Sequence, residues 1–498
     1  MGLGKERVGK DLPQWPDRER LELERREVSM RRMSLVMLSL CVIFLISCAR
    51  TRVVNMIPLW QSGETWQDSE PFLAVHPTNR RVMAGSAFTL NPFGPASGTA
   101  PIYVTTNRGK TWTLNNIVPS TSMTGDITHA FDKASGDLYG GILRFPGFLL
   151  LNELVTNNAL SPSPMTILGS RSLVDQPFTQ VTTAGVNDRI YVGNNDFNAS
   201  PRTATVDVSP DGGTTWNSVR IEPRATAGQD GPSVRPTVAR DGTVYAAYFG
   251  WRNFAGGIAT SDVVVVRDDN GGIGPNPFQA LTDPGDGLPG RRVVQNISIP
   301  WSNAPTLGQE RIGSTLSIAV DPNNSSIVYV AWADRVGTGD IYTIHVRRST
   351  DRGVTWSGDV RTITNATNAS LAVADNGTVG FLYQQVTGTG PTSRWVTHLE
   401  QTRDAFATIQ DAILATVPAN TPAPQFLPYI GDYTFLLAVR REFRGVFSAN
   451  NTPDLANFPE GVRYQRKANF ATKTLEDLFG GPVAISIDPF YFKVPVDP

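Results

Sequence analysis

Apolar residues recur in short runs along most of this chain, and the runs come in pairs. Leu73, Ala74 and Val75 end at a polar turn, and so do Thr237 to Ala239, Ile318 to Val320, and Leu371 to Val373. After each turn a second apolar run begins, such as residues 244–248 (Val-Tyr-Ala-Ala-Tyr) or 328–332 (Val-Tyr-Val-Ala-Trp). Runs of this length, rich in β-branched and aromatic residues and bounded by turn formers, predict strands. Their nearly continuous hydrophobicity suits strands covered on both faces. Counting these strand–turn–strand units places starts near residues 70, 125, 176, 233, 315, 368 and 430. The spacing is roughly 50–60 residues, apart from the fourth unit, which carries an insertion around 270–310. Patterns at the 3.6-residue helical period are scarce after residue 50.

Three of the units are followed by segments that align without gaps. The first runs from Thr105 through Asn107, Gly109 and Thr111 to Trp112. The second runs from Ser209 through Asp211, Gly213 and Thr215 to Trp216. The third runs from Ser349 through Asp351, Gly353 and Thr355 to Trp356. The side chain of Asp or Asn accepts hydrogen bonds from its own turn. Glycine tolerates the positive φ that such a turn needs, and the Trp buries a large ring against the hairpin. The pattern Ser/Thr-x-Asp-x-Gly-x-Thr-Trp therefore folds a hairpin and does no chemistry itself. Residues 267–272, with Asp268, Asp269 and Asn270, read as a degenerate copy.

This pattern resembles the Asp-box, or BNR, repeat of the sialidase superfamily, over about residues 63–470. The resemblance implies an all-β propeller of four-stranded blades. Seven units imply seven blades, with six, the sialidase number, as the alternative. It also implies a propeller that recognises terminal acidic sugars and either hydrolyses them or serves as a non-catalytic scaffold for a protein or polysaccharide at the cell envelope. The units divide the chain into a leader (1–48), a linker (49–62), the propeller (63–473) and a tail (474–498) that mixes a short helical stretch with a Phe/Tyr-rich strand and closes or caps the ring.

The chain has 498 residues, 45 glycines, 36 prolines and only 18% charged residues, in keeping with many short strands and turns. A net charge of −1 argues against a nucleic-acid partner, which a basic face would announce. The four histidines are scattered without a metal-ligand spacing, so neither a metal nor another cofactor is expected. The Asp268–Asn270 stretch reads as a solvated turn rather than a calcium loop.

Both cysteines, Cys41 and Cys48, lie in the apolar segment near the N-terminus. Arg31 and Arg32 precede an apolar run over residues 33–47, which reads as an export signal and is short for a membrane span. The run ends in Leu45, Ile46, Ser47 and Cys48, which resembles a bacterial lipobox. That implies a lipid on Cys48 and a monomer held at the outer membrane on the periplasmic or outer side. The charge-dense residues 1–29 are odd ahead of such a signal, so translation is expected to begin at Met30 or Met33.

Alternating strand direction puts the turns within each strand pair on one face of a propeller. The residues just before each first strand, and just after each second strand, lie on the other. That second face collects Glu70, Asp126, Asp175, Asp230, Arg235, Glu310, Arg311 and residues 429–433 from the first class, and residues 194–196, Trp251, Arg252, Asp334 and Arg335 from the second. Guanidinium groups bind a carboxylate in bidentate fashion. The sialidase resemblance implies a tyrosine nucleophile helped by a glutamate, an aspartate acid/base and an arginine triad. On that basis Asp340, Tyr433 and Glu310 are the catalytic candidates. Arg335, Arg311, Arg235, Arg252, Trp251 and Tyr429 are the candidates for holding substrate. No Arg-Ile-Pro motif, which sialidases carry at the start of the arginine-bearing unit, occurs in the chain; Arg311-Ile312-Gly313 is the nearest text.

Overall fold

The computed structural model describes Met1 and residues 52–88, 98–122, 124–185, 187–224, 233–300, 315–336, 342–425 and 429–496. Within them the chain is an all-β propeller. Six sheets have four strands in simple sequential order, a seventh has five, and a further small sheet outside these seven has three. The innermost strands of the seven sheets are Ser69–Val75, Thr124–Phe131, Val174–Ala184, Val234–Val238, Leu316–Asp321, Ala366–Val373 and Phe435–Val439. Each touches the next, and the last returns to the first, so they enclose an axis.

Burial follows the composition of the strands. In the fourth blade every residue from Val244 to Trp251 is buried, because blades cover both of its faces. Between the fourth and fifth blades, Tyr245, Phe249 and Trp251 pack into one apolar cluster with Leu316, Ile318, Val330 and Trp332. Deleting one such ring costs about 3–5 kcal/mol.

The three aligned turns share one set of hydrogen bonds. Ser209 Oγ accepts from Gly213 N at 2.8 Å, and Asp211 accepts from Thr215 N at 2.8 Å and Thr215 Oγ1 at 2.7 Å. Ser349, Asp351, Gly353 and Thr355 repeat this at 2.8, 2.9 and 2.6 Å. In the first copy Asn107 accepts from Thr111 N at 3.0 Å but donates to Thr111 Oγ1 at 2.7 Å, as an amide must. Gly109 also needs its missing side chain, since a Cβ there would come within 2.3 Å of the Tyr491 ring. The tryptophans differ: Trp112 is buried against Tyr491, whereas Trp216 and Trp356 are half-buried.

A fourth copy escaped the sequence pattern. Thr402 Oγ1 accepts from Phe406 N at 2.9 Å, and Asp404 accepts from Thr408 N at 2.8 Å and Thr408 Oγ1 at 2.7 Å. Phe406 holds φ 70° where the other copies have glycine, and Ile409 stands where they have Trp. The degenerate copy in the fourth blade swaps the hydroxyl for a carboxylate, with Asp268 Oδ1 accepting from Gly272 N at 2.8 Å. The described part of the insertion is the connection between that blade's third strand, Ile258–Asp268, and its fourth, Arg291–Pro300. Arg224 pins it by donating to Asp286 and to the carbonyls of Pro289 and Gly290.

The first and last of the described strands both enter the seventh sheet. Arg52–Asn55, inside the expected linker, pairs antiparallel with Ile487–Pro495 from the tail, Val53 opposite Phe492. It also pairs parallel with Val462–Arg463. The helical stretch expected near 474 is not there. Thr474–Glu476 is a strand, and Asp477 Oδ1 accepts from Phe479 N and Gly481 N to turn the chain instead, with Gly480 at φ 85°. Cys41 and Cys48 lie outside the described residues.

Candidate functional site

The innermost strands begin irregularly, and the irregularity builds the site. Register shifts interrupt pairing between Ser69 and Phe72, Thr124 and Ile127, Asp175 and Phe178, and Thr367 and Ser370. Glu70, Gln176 and Asn368 hold φ of 54°, 55° and 59° there. Bulges of this kind re-aim a side chain, and left-handed backbone at non-glycine residues costs about 1–3 kcal/mol each. Strain repeated around an axis marks a position the rest of the fold enforces.

A buried polar cluster gathers at these strand starts. Tyr433 Oη donates to Asp126 Oδ1 at 2.7 Å, and Glu70 also hydrogen-bonds Asp126. Glu70 Oε1 accepts from Asp432 N at 3.3 Å, and Asp432 Oδ2 accepts from Gln176 Nε2 at 3.1 Å. Gly431 makes this approach possible, since a Cβ on it would lie 2.3 Å from Glu70 N. The Arg235 guanidinium carbon stands 4.4 Å from the Phe178 ring centre and 5.3 Å from that of Tyr433. Its Nη1 and Nη2 have no hydrogen-bond acceptor among the described residues, although Arg235 is only 2% exposed.

The electrostatics follow from burial. Desolvation and the charges of Asp126 and Glu70 push the Tyr433 phenol well above the ordinary tyrosine range, so it rests as a neutral donor. Desolvation raises Asp126 despite its hydrogen bonds from Glu70 and Tyr433, with Asp432 adding to the rise. Arg235 is pulled down to about 10 by burial and held up by Tyr433, Asp126, Asp432 and Glu70, so it stays protonated at neutral pH. A phenol, two hydrogen-bonded carboxyls and a guanidinium in one dry place can pass a proton and stabilise charge that appears beside them.

Beneath this cluster Phe72 stacks on Phe435 at 3.8 Å and meets Phe178 edge-on at 5.2 Å. Beyond these rings the axis is an open channel. It is lined by the innermost strands and reaches the turns carrying His76, Arg80, Lys133, Arg240 and Arg440. The space within it opens on the face that also bears the aligned hydrogen-bonded turns.

Of the residues nominated from the sequence, Tyr433 and Arg235 belong to the cluster. Arg252 sits apart in a network of its own, donating to Asp262 at 2.9 Å and to Glu222 at 3.1 Å. Trp251 is buried between blades and stacked on Phe254. Tyr429 is fully buried among apolar side chains. Arg335 ends its strand opposite Tyr342, next to Asp334, which accepts from Trp332 Nε1 at 3.1 Å. Glu310, Arg311, Asp340 and Asp230 lie outside the described residues. Gln176 and Asn368 were missed. A signal for Gln176 exists in the sequence, because Glu70, Gln176 and Arg235 each precede a proline near the start of an innermost strand. Proline is tolerated there because an innermost strand is an edge.

No family model matches the chain, and no curated protein matches it. Among solved structures it is similar to an ulvan lyase, at 13% identity over 80% of this chain and 93% of that one, with a TM-score of 0.46. It is similar to an α-L-arabinanase of Penicillium chrysogenum, at 14% identity over 88% and 97%, TM-score 0.39. It is also similar to the NanB sialidase of Streptococcus pneumoniae, at 11% identity over 80% and 67%, TM-score 0.33.

Proposed function

We propose that this propeller recognises an acidic sugar at the cluster around Tyr433 and cleaves its glycosidic bond. One observation carries the reading: the Tyr433 phenol donates to Asp126, which also bonds Glu70, with the Arg235 guanidinium over the phenol ring. A tyrosine can replace a carboxylate as glycosidase nucleophile where the sugar is itself anionic. Its proton must leave as it attacks, and Asp126 is the acceptor already in contact with it. Arg235 supplies positive charge beside the developing phenolate. Asp340 remains the candidate to protonate the leaving oxygen, Glu310 the candidate to assist the tyrosine, and Arg311 a candidate for holding substrate. Lipidation at Cys48 would hold the propeller at the outer membrane, on the periplasmic or outer side.

Release of sialic acid from mixed sialylated glycoconjugates tests this. The chain should release it. Tyr433→Phe and Asp340→Ala should each lose at least about a hundredfold. Release that survives Tyr433→Phe, or no release from the unaltered chain, defeats the hydrolytic reading. Burial favours one alternative, a non-catalytic scaffold: Glu70, Asp126 and Tyr433 are each only 4% exposed. Glycan binding without release, unchanged by Tyr433→Phe, would establish that instead.

A further inference from the structure

The channel beyond the aromatic rings shares Arg235 with the cluster, and the rest of its lining is not used in glycan cleavage. Its inner part, about 170 Å³, is lined by Arg235, Phe178, Phe435, Ile318, Leu371 and Leu437. Its outer part, about 550 Å³, widens between the turns, and volumes of this order hold small ligands. From Arg235 to Arg240 the wall runs five residues, or about 16 Å at ~3.3 Å per residue. Apolar side chains, among them Val238, Ile318, Leu371 and Leu437, alternate along the walls with polar groups, and the two ends are cationic.

Arg235 closes the inner end. Both of its terminal nitrogens lack acceptors among the described residues, although the residue is 2% exposed. A buried donor left unmade costs about 1–3 kcal/mol, and more when charged, and a carboxylate is the group whose two oxygens match the guanidinium fork. Asp126, Asp432 and Glu70 act on its charge without hydrogen-bonding those nitrogens. At the outer mouth Arg240 pairs with Asp375 and Asn323. Arg80, Lys133 and Arg440 form no ion pair with any described residue, and His76 stands next to them. Unpaired cations around the mouth of a channel draw anions in and speed their entry.

We propose that this channel binds a slender monocarboxylate with an apolar chain. The carboxylate enters first and seats on Arg235, and the chain lies along Val238, Ile318, Leu371 and Leu437. This site goes beyond the glycan reading, and the two have Arg235 in common.

The test is calorimetric titration of the full chain with dodecanoate, and with dodecanol as the uncharged control. Dodecanoate binds one to one, and dodecanol binds at least about tenfold more weakly, as expected for losing a charge-assisted pair. Arg235→Met weakens dodecanoate by a similar factor. Leu437→Trp fills the channel while keeping Arg235 in the chain and abolishes binding, so the result stands even if the arginine variant fails to fold. Replacing Lys133 and Arg440 with glutamine slows association at low salt and leaves the high-salt affinity within about threefold. Equal binding of acid and alcohol, full binding by either Arg235→Met or Leu437→Trp, or no heat at all overturns the proposal. Adsorption to the apolar N-terminal segment would appear as full binding by Leu437→Trp. Glycan release is scored separately, and Leu437→Trp, which keeps Arg235, distinguishes failure of this site from failure of the other.

Discussion

Asp126 ties the buried cluster together at the scale of single residues. It takes the Tyr433 proton bond at 2.7 Å while sharing a second with Glu70, and all three side chains are buried. Tyr433→Phe leaves one carboxylate oxygen short of a donor. It should lower stability by about 1–3 kcal/mol in urea unfolding, apart from any effect on activity. Gly431→Ala should be harsher, because the new methyl meets Glu70 N at 2.3 Å from a backbone at φ 103°. A loss of at least about 3 kcal/mol, or failure to fold, is expected. If Gly431→Ala unfolds at the same urea concentration as the parent, the close approach of these two strand starts is wrong.

The hydrogen-bonded turn is the repeated device at the scale of elements, and its fourth copy shows what it needs. Thr402, Asp404 and Thr408 keep every polar contact although glycine and tryptophan are both replaced. Asp404→Ala should therefore lower the urea midpoint by about as much as Asp211→Ala does. A negligible cost at 404 alone would mean that the turn is held by Phe406 packing on Phe381 instead. The sequence pattern found three copies because it keyed on Gly and Trp. The structure shows that Ser/Thr, Asp and the following Thr do the bonding, while the left-handed position accepts Phe406 at a local strain cost.

Closure dominates at the scale of the whole molecule. Strand Arg52–Asn55 enters between Ile487–Pro495 and Val462–Arg463. Beside it Arg466 pairs with Asp488, both fully buried, and Glu64 and Asp68 share the same dry space. Burial, reinforced by Asp488, pushes Glu64 up to about 8 from an unfolded value near 4.5. The fold thus favours the protonated carboxyl. The stability it contributes is complete below the unfolded value and is lost as pH rises through about 8. Glu153, raised to about 8 by burial and then by Asp207, acts in the same direction. The thermal midpoint should fall between pH 5 and 8.5, and Glu64→Gln should flatten part of that slope. An unchanged slope in that variant would place the titration elsewhere.

Hydrophobic periodicity and turn chemistry are local, and the sequence carried them. The first strands of the seven sheets begin at Ser69, Thr124, Val174, Val234, Leu316, Ala366 and Phe435, close to the starts counted from the chain alone. It was also enough to nominate Tyr433 and Arg235, which come to one axis because every blade presents its first strand there. What the sequence could not order is long-range. It did not show that residue 53 lies beside residue 492. It did not show that Glu70 meets Asp126 and Asp432 while Arg252 is drawn off to Glu222. Nor did it show that the axis is filled at one end and open at the other. A side chain's partner and its access to water depend on how seven separately legible units close around one another, and that is decided only by the tertiary fold.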